Sequence, residues 1–286
     1  MLSKLAIGTA QLEQRYGIYN NKKVLSKKDF KNILNKMPEL GIDTIDTAQS
    51  YKDSEKILGE VGVKEFKLIT KIKIQNSYIM KNDIAAIIEN SLINLKVDNI
   101  DTILIHDPSL LLNEKNYEII HELKTQKKIG KINKIGFSVY SPKETYSLLD
   151  LFKPDIIQFP LSIFDRRFEK TGLIKHLKSH SIECHSRSTF MQGLLFKDEK
   201  NLIEFKKWSN LFKKWNNWNK LNDIKPLNTA INYVLQVKYI DKMIFGFKSE
   251  TEFDEVVSAF KNKNLIYPMD IYSLDENLIN PSKWKI

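Results

Sequence analysis

Short apolar, β-branched runs recur along the chain, and each leaves room for one helix before the next begins. They fall at Leu5–Thr9, Thr44–Thr47, Lys67–Ile72, Asp101–His106, Lys134–Val139, Asp155–Pro160, Ile182–Ser186 and Met243–Phe247, eight in all. The stretches between them carry apolar residues at helical spacing. Phe30, Ile33, Leu34 and Met37 form one stripe. Ile84, Ile87, Ile88 and Leu92 form a second, with Leu95 just after, and Ile119, Ile120 and Leu123 precede a stop at Gly130. Ser141-Pro142-Lys143-Glu144 carries the signature of a helix start: a capping Ser, Pro at the first helical position and Glu at the third. Strand–helix alternation repeated eight times predicts an α/β fold with a parallel sheet closed into a (β/α)8 TIM barrel. No linker or internal repeat divides the chain, so one domain over residues 1–286 is expected.

One stretch departs from the simple alternation. Between strands seven and eight, residues 198–221 place Leu202, Phe205, Trp208, Phe212, Trp215 and Trp218 at three- and four-residue steps. Lys206, Lys207, Lys213, Lys214 and Lys220 lie between them. This predicts an amphipathic helix over 198–221 packed on the barrel wall. A basic aromatic face for a membrane or a nucleic acid is the sharper alternative. A further helix, opened by Pro226 and carrying Ala230, Ile231, Val234 and Leu235, then leads into strand eight.

Composition narrows the class without identifying it. A chain of 286 residues with 42% apolar content suits one large barrel. Runs such as Ile103-Leu104-Ile105 are too short to span a bilayer, and the start lacks a long apolar signal. Cys184 is the one cysteine and has no internal partner, which favours a cytoplasmic setting. The formal net charge of +10 is spread along the whole chain and reads as solvated surface, so neither a nucleic-acid nor a membrane partner is expected.

In such a barrel the chemistry sits where the strands end. Strand two ends at Asp46 with Tyr51 just beyond, strand three at Lys71 and strand four at His106. Taken singly, each has a plainer role as a cap, a solvated lysine or a core histidine. Together they make a proton-transfer site. A phenol titrates near ~10, and an ammonium beside it is expected to draw that value down. Asp46 would pair with Lys71, and His106 would orient a carbonyl by a hydrogen bond. No metal-ligand cluster and no nucleophile–base pair is evident.

These residues carry a resemblance to the aldo-keto reductase family. It runs through Leu5-Ala6-Ile7-Gly8-Thr9-Ala10, then Gly41-Ile42-Asp43-Thr44-Ile45-Asp46-Thr47-Ala48 with Tyr51, Gly59, Thr70-Lys71 and Ile103-Leu104-Ile105-His106. It continues through Gly130 to Ser138, Asp155-Ile156-Ile157-Gln158, Gln192-Gly193-Leu194-Leu195 and Gly246-Phe247-Lys248-Ser249, covering nearly the whole chain in order.

The resemblance implies that Asp46, Tyr51, Lys71 and His106 form a catalytic tetrad with Tyr51 as general acid. It implies that Ser138 and Gln158 hold a nicotinamide carboxamide. Gly8, Thr9, Arg187, Ser188, Gly193 and Leu194 match further cofactor-contacting positions, the last three along the pyrophosphate. Gly246, Lys248 and Ser249 match the segment near the adenosine phosphate. The resemblance makes Lys248 a candidate partner for a 2′-phosphate, which would favour NADP over NAD; a surface lysine is its plainer role. The chain departs from the pattern at Val139 (often Asn), Arg187 (an aromatic that stacks on nicotinamide), Glu252 (Gln or Arg) and Val256 (Asn). A guanidinium can lie flat on a ring, but beside an oxidised, positive ring it is unfavourable.

His185-Ser186-Arg187-Ser188-Thr189-Phe190-Met191-Gln192-Gly193-Leu194-Leu195, with Gln158-Phe159-Pro160-Leu161-Ser162-Ile163-Phe164-Asp165-Arg166-Arg167-Phe168, resemble a bacterial branch associated with sugar and surface-polysaccharide metabolism, and Arg166 and Arg167 are candidates to hold an anionic substrate such as a sugar nucleotide. Rim salt bridges are their plainer role. The expected function is NAD(P)(H)-dependent interconversion of a carbonyl, as an aldehyde, ketone, sugar derivative or sugar nucleotide, with its alcohol. The alternative is a cofactor-binding regulatory barrel with little turnover. Oligomeric state and reaction direction are not legible.

Overall fold

The computed structural model describes residues 2–17, 24–74, 81–112, 117–198, 202–262 and 266–284. Eight parallel strands close into a barrel in chain order: β1 Leu5–Gly8, β2 Thr44–Asp46, β3 Lys67–Ile72, β4 Ile100–Ile105, β5 Ile132–Ser138, β6 Ile156–Pro160, β7 Glu183–Arg187 and β8 Lys242–Gly246. The expected runs coincide with these strands to within one or two residues at each end. β1 pairs with both β2 and β8, which closes the cylinder. Gly8 stands level with Asp46 on one side and Gly246 on the other, at the end of the barrel where the strands finish.

The helices are α1 Lys27–Lys36, α2 Ser54–Val61, α3 Lys81–Leu95, α4 Tyr117–Lys128, α5 Pro142–Leu151, α6 Arg167–Lys170, α7 Leu173–Ser179, α8 Ser209–Leu221, α9 Pro226–Gln236, α10 Glu250–Lys261 and α11 Glu276–Ile279. Their starts follow local chemistry. Ser26, Ser141 and Ser249 each accept from the backbone N–H three residues on, satisfying a donor that the first turn leaves free. At α5 the carboxylate of Glu144 also accepts from the N–H of Tyr140 at 2.9 Å, so the expected Ser-Pro-x-Glu start is formed.

The main core lies between strands and helices and includes Ile7, Ile45, Ile103, Phe137 and Phe245. A second, small cluster joins Ile69, two residues before Lys71 on β3, with Leu104, level with Lys71 on β4, and Ile156. Alternation along β3 puts Ile69 and Lys71 on one face, so this cluster supports the functional end. Packing is close at Gly136, where an added Cβ would lie 2.3 Å from the carbonyl oxygen of Ile156.

Within the segment expected to be one helix over 198–221, α8 begins at Ser209, after a 3-10 turn at Lys206–Trp208. Residues 199–201 lie outside the described residues. The apolar stripe faces inward: Leu202, Phe205, Phe212 and Trp215 are buried, and the five lysines are exposed. Phe212 and Trp215 pack edge-on to Phe164, and the Trp215 indole N–H donates to the carbonyl of Leu195 at 2.9 Å. A side chain of this size buried against the wall contributes about 2–3 kcal/mol. The stripe is therefore spent on packing, not on presenting an aromatic face.

Arg166 and Arg167 are buried and lie off the cavity at the strand ends, so they are not the anion-binding pair that the sequence suggested. The Arg166 guanidinium donates to the carbonyls of Pro268 and Met269 and lies over Tyr233, its carbon 4.7 Å from the ring centre. Arg167 bonds Asp165 at 2.8 Å and Glu276 at 3.1 Å. Both fasten the C-terminal stretch to the barrel. Among the described residues no helix is long and apolar enough to cross a membrane, and no group of three or more His, Cys, Asp or Glu is placed to hold a metal ion.

Candidate active site

The loops after the strands enclose a cavity of about 780 Å³. This lies in the range of roughly 300–1,000 Å³ usual for small-molecule and cofactor pockets. Asp46, Tyr51, Lys71 and His106 all line it. Asp46 closes β2 and Lys71 is the penultimate residue of β3. His106 follows β4, and its N–H still bonds the carbonyl of Ile72 at 2.9 Å. Tyr51 is brought back toward the mouth by two tight turns, with Tyr51 N–H on the Ala48 carbonyl and Ser54 N–H on the Tyr51 carbonyl.

Lys71 Nζ lies 2.5 Å from Asp46 Oδ1 and 2.9 Å from the Thr47 carbonyl, and both side chains are almost wholly buried. The same ammonium is 5.4 Å from the Tyr51 ring centre. The Tyr51 and His106 rings meet edge to face at 6.1 Å. Ser50 Oγ sits 3.2 Å from His106 Nδ1.

The electrostatics differ from the simple expectation that the ammonium lowers the phenol. Tyr51 is pushed above its ordinary value, first by burial and then by the Asp46 charge; Arg187 opposes this. The reason lies in the pairing: Asp46 compensates Lys71, so burial dominates what the phenol feels. Burial also lowers Lys71, against the upward pull of Asp46. His106 is brought down to about 4, by burial first and then by Lys71 and Arg187, and is neutral at neutral pH. The site thus offers a phenol that keeps its proton and an uncharged imidazole.

The candidate cofactor positions divide into two groups. Gly8, Thr9, Ser138, Arg187, Ser188, Gly193, Gly246 and Lys248 lie on the cavity wall. Gln158, Leu194 and Ser249 do not. Leu194 is packed in the core. The Ser249 hydroxyl caps α10 by accepting from Glu252 N–H, so it is already engaged. Gln158 lies behind the wall, where its Nε2 donates to Asp46 Oδ2 at 2.7 Å. Its Oε1 is buried without a partner. Ser138 stands in register beside it.

An unpartnered acceptor next to a wall hydroxyl fits a primary amide, which would donate to Gln158 and pair with Ser138. Thr9 Oγ1 is engaged with Thr47 Oγ1 at 2.8 Å, and it fastens the ends of β1 and β2. Lys248 lies beside a carboxylate: its ammonium is 3.3 Å from Glu252 Oε1, and its backbone N–H donates to the other carboxylate oxygen. Glu255 and Val256 share this end of the wall.

Sequence reasoning passed over Tyr16, Tyr140 and Lys225, which also line the cavity. Tyr140 stands two residues beyond Ser138, and extending the strand-end rule by two positions finds it. Tyr16 lies on the loop after β1, its ring 6.3 Å from that of Tyr51, and no periodicity marks it. Val139 turns its side chain into the core, and its carbonyl accepts from Arg187 Nη2 at 3.1 Å.

Comparison with known proteins bears on this arrangement. A family model described as the aldo/keto reductase family matches residues 4–277. The methylglyoxal reductase DkgB of Escherichia coli O157:H7 is 30% identical over 168 residues, 56% of this chain and 61% of that protein. The glyoxal reductase of Bacillus subtilis (strain 168) is 30% identical over 164 residues, 56% of this chain and 57% of that protein. The match thus spans about three fifths of the length of these relatives. The holo form of the aldo-keto reductase AKR11C1 from Bacillus halodurans superposes with a TM-score of 0.72 at 20% identity, over 91% of this chain and 87% of that one.

Proposed function

The chain belongs to the aldo/keto reductase family, and from that premise we propose that it is a single-barrel, nicotinamide-dependent oxidoreductase that reduces a small carbonyl compound with Tyr51 as the proton donor. The observation that carries this is the burial of Lys71 against Asp46 beneath the Tyr51 ring, with the ring of neutral His106 beside it. When bound, the reduced nicotinamide supplies the hydride.

The chain's own residues do the rest. Asp46 and Lys71 fix one another at the mouth. Tyr51, held protonated by burial, gives its proton to the oxygen on which charge develops. His106 orients that oxygen by a hydrogen bond. Gln158 and Ser138 receive the carboxamide, and Gln158 is itself oriented by Asp46. Ser188 and Gly193 lie on the cavity wall, where they would accompany a pyrophosphate.

Lys248 supports NADP as the cofactor, moderated by its pairing with Glu252. The printed functions of the relatives, reduction of methylglyoxal and of glyoxal, suggest short carbonyl compounds as first substrates. Sugar derivatives remain the broader expectation from the sequence. Neither a nucleic-acid nor a membrane partner is proposed, because the exposed lysines of α8 stand over an aromatic face that is already packed. A cytoplasmic setting is proposed with it.

The test is loss of reduced-cofactor absorbance with NADPH and NADH against aldehydes, ketoses and sugar nucleotides. Consumption with at least one carbonyl is expected. Tight cofactor binding with no turnover on any of them would instead favour the regulatory-barrel reading.

A further inference from the structure

Among the described residues, four Lys and Arg side chains line the wall of the cavity, Lys71, Lys248, Arg187 and Lys225, and two of them are paired with carboxylates. Lys71 is paired with Asp46 and Lys248 with Glu252. The third, Arg187, forms no ion pair among the described residues. It is nonetheless fixed in place. Nη2 donates to the Val139 carbonyl at 3.1 Å, Nη1 to Ser188 Oγ at 3.2 Å, and the guanidinium carbon stands 4.3 Å from the centre of the Tyr140 ring. Its Nε is buried with no partner. A full positive charge is therefore held at the mouth with no ion-paired carboxylate among the described residues.

The anchor points say where that charge stands. Val139 directly follows Ser138, and Ser138 is in register with Gln158, whose free Oε1 marks the amide seat. Arg187 is level with Pro160 at the end of the neighbouring strand and reaches across β6 to the Val139 carbonyl. The guanidinium thus spans the strand ends beside the seat. Its charge also lowers the pKa values of Tyr51 and His106, so it acts on the same space as the reacting groups.

Resting on the nicotinamide reading above, we propose that Arg187 makes this site hold the reduced cofactor more tightly than the oxidised one. The two forms share every phosphate, both riboses and the carboxamide; they differ in one hydride and hence in one unit of positive charge on the ring. A flat guanidinium lies comfortably against a neutral ring. Against a positive ring the same group is a like charge at close range in a partly dry site, where repulsion is much stronger than in water. Because Arg187 forms no ion pair among the described residues, the repulsion falls on the ligand. Oxidised cofactor is then the form the site releases, and reduced cofactor displaces it by mass action.

Titration calorimetry with NADPH, NADP⁺, NADH and NAD⁺ as separate probes tests this on the whole chain, with Arg187→Gln and Arg187→Lys as variants. The wild type is expected to bind the reduced form at least about tenfold more tightly than its oxidised partner. Arg187→Gln should narrow that ratio by about fivefold or more, while Arg187→Lys, which keeps the charge, should retain most of it. Thermal melts of each variant verify folding, and the ratio of two ligands on one protein cancels any change in active fraction. Equal affinity of the wild type for both forms, or an unchanged ratio in Arg187→Gln, overturns the proposal while leaving the nicotinamide reading intact. Absence of binding by all four probes overturns that reading and this proposal with it.

Discussion

Gln158 Nε2 donates to Asp46 Oδ2 at 2.7 Å, which ties β6 to β2 across the barrel mouth. Asp46 thereby divides its two oxygens between the Lys71 ammonium and this amide. A residue expected only to touch a ligand also holds the buried ion pair in place. Gln158→Leu leaves one carboxylate oxygen of Asp46 buried without a donor. We expect it to lose about 1–3 kcal/mol of stability in urea unfolding and to weaken cofactor binding several-fold, because one substitution removes both functions of the amide. Loss of binding with unchanged stability would show that the Asp46 contact is dispensable.

The pH profile should be flat over the neutral range. His106, drawn down to about 4, is uncharged above that value. Tyr51, pushed above its ordinary value by burial, keeps its proton well past neutrality. Both groups are in their working forms across the whole neutral range. The rate of reduction should therefore vary little between roughly pH 5 and 9. An NMR titration of His106 should show no transition near the ordinary histidine value; a midpoint there would contradict the assigned state.

On the proposed reading, the Lys248–Glu252 pair governs how well the site holds a 2′-phosphate. The pair is partly exposed, and such pairs contribute at most about 1 kcal/mol. Freeing the ammonium with Glu252→Gln should therefore improve the affinity for NADPH relative to NADH by about two- to fivefold. Glu252→Gln also keeps a side-chain oxygen able to accept from the Lys248 N–H. Fluorescence titration of both reduced cofactors measures the ratio; a shift toward NADH would reverse the sign of this argument.

Gly59 is a packing requirement on α2. A Cβ there would lie 2.1 Å from the Asn94 carbonyl oxygen at the end of α3, and that neighbour is backbone. Gly59→Ala should cost about 1–3 kcal/mol by forcing the two helices apart. Chemical denaturation measures this, and turnover per folded molecule should stay close to wild type.

The strands and most helix starts are legible because they are local. Period and capping residues set them, as at Ser141 and Glu144, where the start is formed as read. The convergence of Asp46, Tyr51, Lys71 and His106 is legible because successive parallel strands bring their ends together. What escapes the sequence depends on geometry between distant elements. Nothing local indicates that the Gln158 amide donates to Asp46, 112 residues away, or that Arg187 reaches the Val139 carbonyl. Residues 202–208 have helical spacing yet form a turn and a short 3-10 stretch. There, burying Leu202 and Phe205 overrides periodicity. The raised Tyr51 is also a tertiary effect, because burial outweighs a cation already neutralised by Asp46.

Comparing Tyr51→Phe with the wild type tests the mechanism most directly. The phenylalanine keeps the ring that faces His106 and lacks only the transferable proton. With methylglyoxal and reduced cofactor, turnover should fall by about 10²–10⁴-fold, the usual contribution of a general acid, while cofactor affinity stays within about twofold. Turnover within about threefold of wild type, at unchanged affinity, would contradict Tyr51 as the proton donor.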